Sequence, residues 1–199
     1  MHIIGERYHI YNRGAHKAPI FSDPLDYDRF VRLLYVANSP KRLEFRNIQS
    51  DIFSTSRIST LVDIFCYCLM PNHIHLGLVE KEEKGIERFT RKLFTAYVMY
   101  YNTRYDHSGT LFQGACKCKH VDDQEYLQYL IEYIHLNPFG IKTPELLKEA
   151  RRELRDEAIE FSKNYEYSSF KDYLGAKRSQ NAILRITDTE YGGVTSVLR

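Results

Sequence analysis

The sequence predicts an α+β fold, an antiparallel sheet flanked by helices. Three observations carry this reading. Short segments with apolar residues at every second position occur several times. Between them lie stretches whose apolar residues recur at helical spacing. The two kinds of segment are mixed rather than strictly alternating, which favours an antiparallel over a parallel sheet. At 199 residues the chain fits one domain with a real core; we place that domain over residues 1–175, with a polar tail of unassigned role over 176–199.

Taken in order, "RYHIYNRG" (7–14) alternates like a strand and ends in a glycine turn. Asp23-Pro24 supplies an N-cap and a first-turn proline for a helix with its apolar face through Tyr27, Phe30, Val31 and Leu34, stopping near Ser39-Pro40. Residues 41–60 are polar and read as a long loop with at most a short strand. Leu61–Met70 and His73–Glu80 are β-like, and Pro71-Asn72 marks a turn or bulge. "KGIERFTRKLFTAYVMYYNTRY" carries Ile86, Phe89, Leu93, Ala96 and Tyr100 on one helical stripe, with Arg88, Arg91 and Lys92 largely on the other. "TLFQGACKCKHV" reads as a strand with Cys116 and Cys118 on one face and Lys117 and Lys119 on the other. A third helix is expected over about 123–136, opened by Asp122 or Asp123 and closed by Asn137-Pro138. A charged helix from Thr143 to about Tyr165 and a short element in "YSSFKDYLG" follow.

Composition narrows the function classes. Hydrophobic residues at 43% and charged residues at 27% describe an ordinary folded protein. The apolar runs are too short for a membrane span and "MHIIGERYHIYNRG" lacks the pattern of a leader, so a cytoplasmic protein without a membrane partner is expected. In that compartment the four cysteines, paired as Cys66/Cys68 and Cys116/Cys118, read as reduced core residues rather than disulfides or a zinc knuckle. A net charge of +2 is too small to argue for nucleic acid by itself.

Chemistry concentrates in two places. His73 and His75, in "CYCLMPNHIHLGL", are two apart on extended chain, so both imidazoles leave one face and can converge on an ion. The same spacing also describes two histidines on an ordinary wet strand. Tyr133 and Asn137 are four apart on the third helix, so a phenol and a carboxamide share a face. Together they make a His/His/Asn shell with a nucleophile beside it, suited to metal-assisted attack on a phosphate. Read separately, Tyr133 is a core residue and Asn137 a C-cap. Tyr129, and Tyr126 before it, compete for the nucleophile's role, and His135 reads as surface or packing.

With those motifs in place, the sequence resembles the single-tyrosine HUH transposases of bacterial insertion sequences, in particular their REP-associated branch. The resemblance runs in matching order through "YHIYNRG", "DYDRFVRLL", "CLMPNHIHL", "GTLFQGACKCK", "EYLQYLIEYIHLNP" and "YSSFKDYLG". It implies a ferredoxin-like HUH nuclease fold, with His73, His75 and Asn137 as ligands of a divalent metal, Mg²⁺ or Mn²⁺. It implies Tyr133 as the nucleophile, since Tyr133 alone stands in the Y-I-x-x-N-P context. The expected activity is cleavage and rejoining of single-stranded or hairpin DNA through a 5′-phosphotyrosine. Arg13 and Lys117 match positions that are commonly basic in the family and could hold phosphates near the metal. Lys119 points the same way as Lys117 as a further nucleic-acid contact, and Arg88, Arg91 and Lys92 make a candidate backbone-contact face. A homodimer is compatible with the resemblance. "NPFGIK" departs from the small basic turn the family often has. Two rival functions remain on these residues: a metal-dependent phosphodiester hydrolase, and a domesticated DNA-binding protein without turnover. A histidine-triad hydrolase is disfavoured because Gly77 stands where a third alternating histidine would fall.

Overall fold

A computed structural model describes residues 2–41, 51–142 and 155–186. Four strands, β1 (Arg7–Arg13), β2 (Val62–Met70), β3 (His73–Glu80) and β4 (Lys117–Val121), form an antiparallel sheet in the order β2-β3-β1-β4. Helices α1 (Pro24–Ala37) and α2 (Gly85–Tyr105) cover one face, while α3 (Gln124–Leu136), α5 (Arg155–Lys163) and α6 (Phe170–Tyr173) pack with residues of the other. A one-turn helix, α4 (Phe139–Lys142), lies between α3 and α5 in sequence. No helix among the described residues is long and apolar enough to cross a membrane.

Alternation along the strands decides which side chains reach which layer. Ile10, Ile74, Leu76 and Leu78 are fully buried with Phe30, Leu34, Phe89 and Leu93 beneath α1 and α2. The opposite face carries Cys66, Cys68, Met70 and Val121, packed with Leu127, Leu130, Ile131 and Ile134 of α3. A β-bulge between Ile64 and Cys66 lets β2 feed both cores, since Ile64 joins the first while Phe65 and Cys66 join the second. Pro71-Asn72 is therefore the tight turn of the β2–β3 hairpin, where Met70 pairs with His73, and the bulge lies one turn of sequence earlier than expected.

Caps fix the helix starts. The Asp23 carboxylate accepts from the Leu25 and Asp26 amides, and Asp26 returns a bond to the Asp23 amide, as the Asp-Pro signal predicts. Glu80, buried at the end of β3, accepts from the amides of Gly85 and Ile86 and so anchors the N-terminus of α2.

Two expectations need correction. β4 begins only at Lys117, because residues 110–116 form a loop tied by a single bridge between Gly14 and Phe112. α3 ends at Leu136 as expected, with Asn137 as its C-cap at helical angles and the separate one-turn α4 following Pro138. Gly175 is no packing boundary: Ile183 is buried in the α1/α2 core, the Arg185 amide donates to the Ile64 carbonyl, and with residues 167–169 this segment covers the outer edge of β2. Most of the expected helix over 143–165 and the end of the tail fall outside the described residues, and its final part is α5.

Two stability predictions arise from this packing. A methyl group at Gly77 would stand 2.3 Å and 2.5 Å from the Phe65 ring and 2.7 Å from Cys66 Sγ. Gly77→Ala is expected to destabilise the fold by about 2 kcal/mol or more through overpacking, read as a lowered urea midpoint. His135 is fully buried, stacked on Phe170, with its Nε2 2.8 Å from Ser169 Oγ. Burial pushes its pKa down to about 3. The unfolded chain therefore binds the extra proton first, and stability falls as pH drops from about 6.5 towards 3. A loss of about 2 kcal/mol is expected between pH 7 and pH 5, visible in urea titrations at the two pH values and reduced in His135→Phe.

Candidate active site

The sheet face under α3 collects the candidate residues. β3 presents His73 and His75, and across from them β1 places Arg13 and Tyr11. His9 stands opposite Gly77, and β4 adds Lys117 beside Tyr11 and Lys119 beside His9. Ile74, between the two histidines, points into the other core. α3 lies over this face with Tyr133 and Asn137 turned towards it. The rings of Tyr133 and His75 are 5.4 Å apart and meet edge to face, and the His73 and His75 rings are 5.0 Å apart at 89°.

Two amide oxygens flank the His73 ring, and the orientation of one of them selects a tautomer. Asn72 Nδ2 donates to the Lys17 carbonyl at 3.1 Å, which turns Asn72 Oδ1 towards His73 Nδ1 at 2.7 Å. An amide oxygen only accepts, so Nδ1 carries the proton. Burial holds the His73 pKa below its usual range, with Asn137 opposing this and Arg13 adding to it, so the ring is neutral near pH 7. Its Nε2 then offers a lone pair, and 3.1 Å away stands Asn137 Oδ1. In that tautomer two acceptors face each other.

A turned-over Asn137 amide would relieve this by donating from its nitrogen. With the oxygen inward, a cation between the two atoms satisfies both. Ligands about 2.1 Å from one ion and at right angles to each other stand about 3.0 Å apart, so the separation fits a divalent metal. Among the described residues no three His, Cys, Asp or Glu side chains converge on a metal site.

His9 and Asn72 escaped the sequence reading. His9 is buried, and its Nε2 shares a 2.9 Å hydrogen bond with His75 Nδ1. Burial first and the Lys119 charge second push the His9 pKa down to about 4, so it is neutral and able to accept the His75 Nδ1 proton. In that arrangement His75 Nε2 is left unprotonated, as a metal ligand requires. The available signals were the alternation of His9 with Tyr11 and Arg13, and the position of Asn72 directly before His73.

The remaining candidates divide by face. Arg13, Lys117 and Lys119 are exposed on the histidine side. Arg88, Arg91 and Lys92 ride on α2, across the sheet from the histidines. Arg88 forms an ion pair with Glu82, and Lys92 donates to the carbonyls of Ser39 and Lys41 after the end of α1. Arg91 is exposed and lines a mostly apolar groove of about 700 Å³ between α2 and the 109–116 loop. His135 lies in the core on the far side of α3. Cys66 and Cys68 are buried, Cys116 is half-buried and Cys118 exposed, all as free thiols, with Cys116 and Cys118 on the opposite sheet face from Lys117 and Lys119.

No family model matches the sequence, and no curated protein matches it significantly. Among solved structures, one of a REP-associated tyrosine transposase bound to a REP hairpin superposes with a TM-score of 0.56 at 11% identity, covering 94% of this chain and 89% of that one. At that identity the likeness is one of fold: this chain's four-stranded antiparallel sheet with flanking helices follows the fold of that structure over nearly the whole chain.

Proposed function

We propose that the protein is a metal-dependent, transposase-like DNA strand transferase that cleaves and rejoins single-stranded or hairpin DNA through Tyr133. The observation that carries the reading is the facing pair His73 Nε2 and Asn137 Oδ1, 3.1 Å apart, with His75 and the Tyr133 ring beside them. The hairpin-bound transposase of the same fold supports DNA as the substrate class.

His73, His75 and Asn137 would hold a Mg²⁺ or Mn²⁺ ion. Such an ion supplies neutralisation of a non-bridging phosphate oxygen. Asn72 and His9 orient the two imidazoles from behind. Arg13, Lys117 and Lys119 draw the phosphate backbone to this face. As β4 is an edge strand, its lysines also serve to prevent stray strand pairing. Tyr133 Oη attacks phosphorus, the new O–P bond forms as the bond to the 3′ oxygen breaks, and the phenolic proton is lost as the 3′-OH gains one. The link retains the phosphodiester energy, so the 3′-OH can later reverse the step without an external source. Tyr133, both histidines and Asn137 meet within one chain, and the reading needs no second subunit to complete the site.

Incubation with hairpin oligonucleotides and Mn²⁺ followed by a denaturing gel tests this. A protein–DNA adduct is expected; its absence across varied hairpins would favour a binding protein without turnover.

A further inference from the structure

We propose that the tyrosine stripe of α3 is a stacking platform for unpaired bases of the strand entering this site, with Tyr129 and Tyr126 as the stacking rings and Lys119 as a phosphate contact. The proposal rests on the functional reading above and assigns that reading's substrate a path across the surface.

Tyr126, Tyr129 and Tyr133 are three and four residues apart and form one stripe along α3. Their rings make a ladder: Tyr126 and Tyr129 are 6.1 Å apart at 28°, and Tyr129 and Tyr133 are 6.2 Å apart at 26°. The ladder ends at the proposed nucleophile. Core packing gives no reason for the middle rung, because Leu127, Leu130, Ile131 and Ile134 already supply the buried face while Tyr129 is 56% exposed. A solvated stripe would ordinarily carry long charged side chains.

Charge selects the occupant. Lys119 Nζ lies 4.1 Å from the Tyr126 ring centre, and Lys117 Nζ lies 5.9 Å from that of Tyr11. Flat rings interleaved with cations suit a single strand, whose bases stack while its phosphates meet lysines. The acidic first turn of α3, with Asp123 and Glu125, closes the far end and would repel phosphate beyond Tyr126. The track is thus short, a base or two upstream or downstream of the bond at Tyr133.

Fluorescence anisotropy without divalent metal, on a Tyr133→Phe background that cannot cut, measures this directly. One labelled hairpin carries a single-stranded extension and a second is blunt. Tyr129→Ala is expected to weaken binding of the extended hairpin about 10-fold and leave the blunt one unchanged. Tyr129→Trp should retain affinity, and Tyr126→Leu, which keeps the packing but loses the flat ring, should show a smaller selective loss. Equal affinity of Tyr129→Ala and its parent for the extended hairpin would overturn the platform alone. A parent that binds neither hairpin would overturn the functional reading together with it.

Discussion

His73→Ala is expected to weaken Mn²⁺ binding more than about 100-fold and to remove strand cleavage with it. Two amide oxygens flank the His73 ring. Asn72, oriented by the Lys17 carbonyl, accepts the hydrogen bond from Nδ1–H, so the Nε2 lone pair faces the Asn137 oxygen at 3.1 Å. Removing a group that only orients a ligand typically costs 10–100-fold in metal affinity. Asn72→Ala should fall in that range, and loss of the ligand itself should exceed it. Isothermal titration with Mn²⁺ and no DNA gives both values independently of turnover. Unchanged affinity in His73→Ala would place the metal elsewhere or nowhere.

Tyr133→Phe should separate metal binding from chemistry. Phenylalanine keeps the ring against His75 and the α3 packing, so Mn²⁺ affinity should match that of the parent. It lacks Oη, and cleavage of a hairpin oligonucleotide should fall at least about 10³-fold, as when other covalent nucleophiles are removed. A hydrolase that activates water at the same ligands would keep cutting, and timed denaturing gels distinguish the two. Tyr129→Phe is the matched control: Tyr129 lies one turn away but is 56% exposed on the outside of α3, so its hydroxyl should be dispensable for cleavage.

Much of the architecture was readable because periodicity reports burial. The β-like apolar runs at 61–70 and 73–80 marked both strands of the hairpin, and Asp23-Pro24 marked the start of α1 to the residue. What could not be read depends on contacts between distant segments. The C-terminal segment looks like a tail because its residues are polar, yet backbone bonds to Ile64 hold it along β2. Pro138 signals the stop of α3 correctly, but not that the Asn137 carboxamide, at the C-cap, reaches His73. His9 carries no local signal for its bond to His75, which depends on the β1–β3 register. The basic stripe of α2 was readable as charge but not as location: the sheet separates it from the histidines, and Arg88 and Lys92 are engaged within the fold.

The same limits apply at the site. Spacing alone left His73 and His75 between a metal pair and two ordinary strand residues. Their convergence with Tyr133 and Asn137 required α3 to lie across β3, which only tertiary packing supplies. The apolar face of α3 and its tyrosine stripe are both sequence features, but which of the two meets the sheet is set by the second core.

The most direct test of the central claim is to locate the covalent bond. After reaction with a hairpin oligonucleotide and Mn²⁺, the protein is digested with nuclease and protease, and peptides bearing a residual nucleotide are sequenced by mass spectrometry. A 5′-phosphate ester on the Tyr133 oxygen, lost on chelation of the metal before DNA addition and absent in Tyr133→Phe, is the predicted result. Cleaved DNA with no modified peptide, or an adduct on Tyr126 or Tyr129, would contradict the assignment.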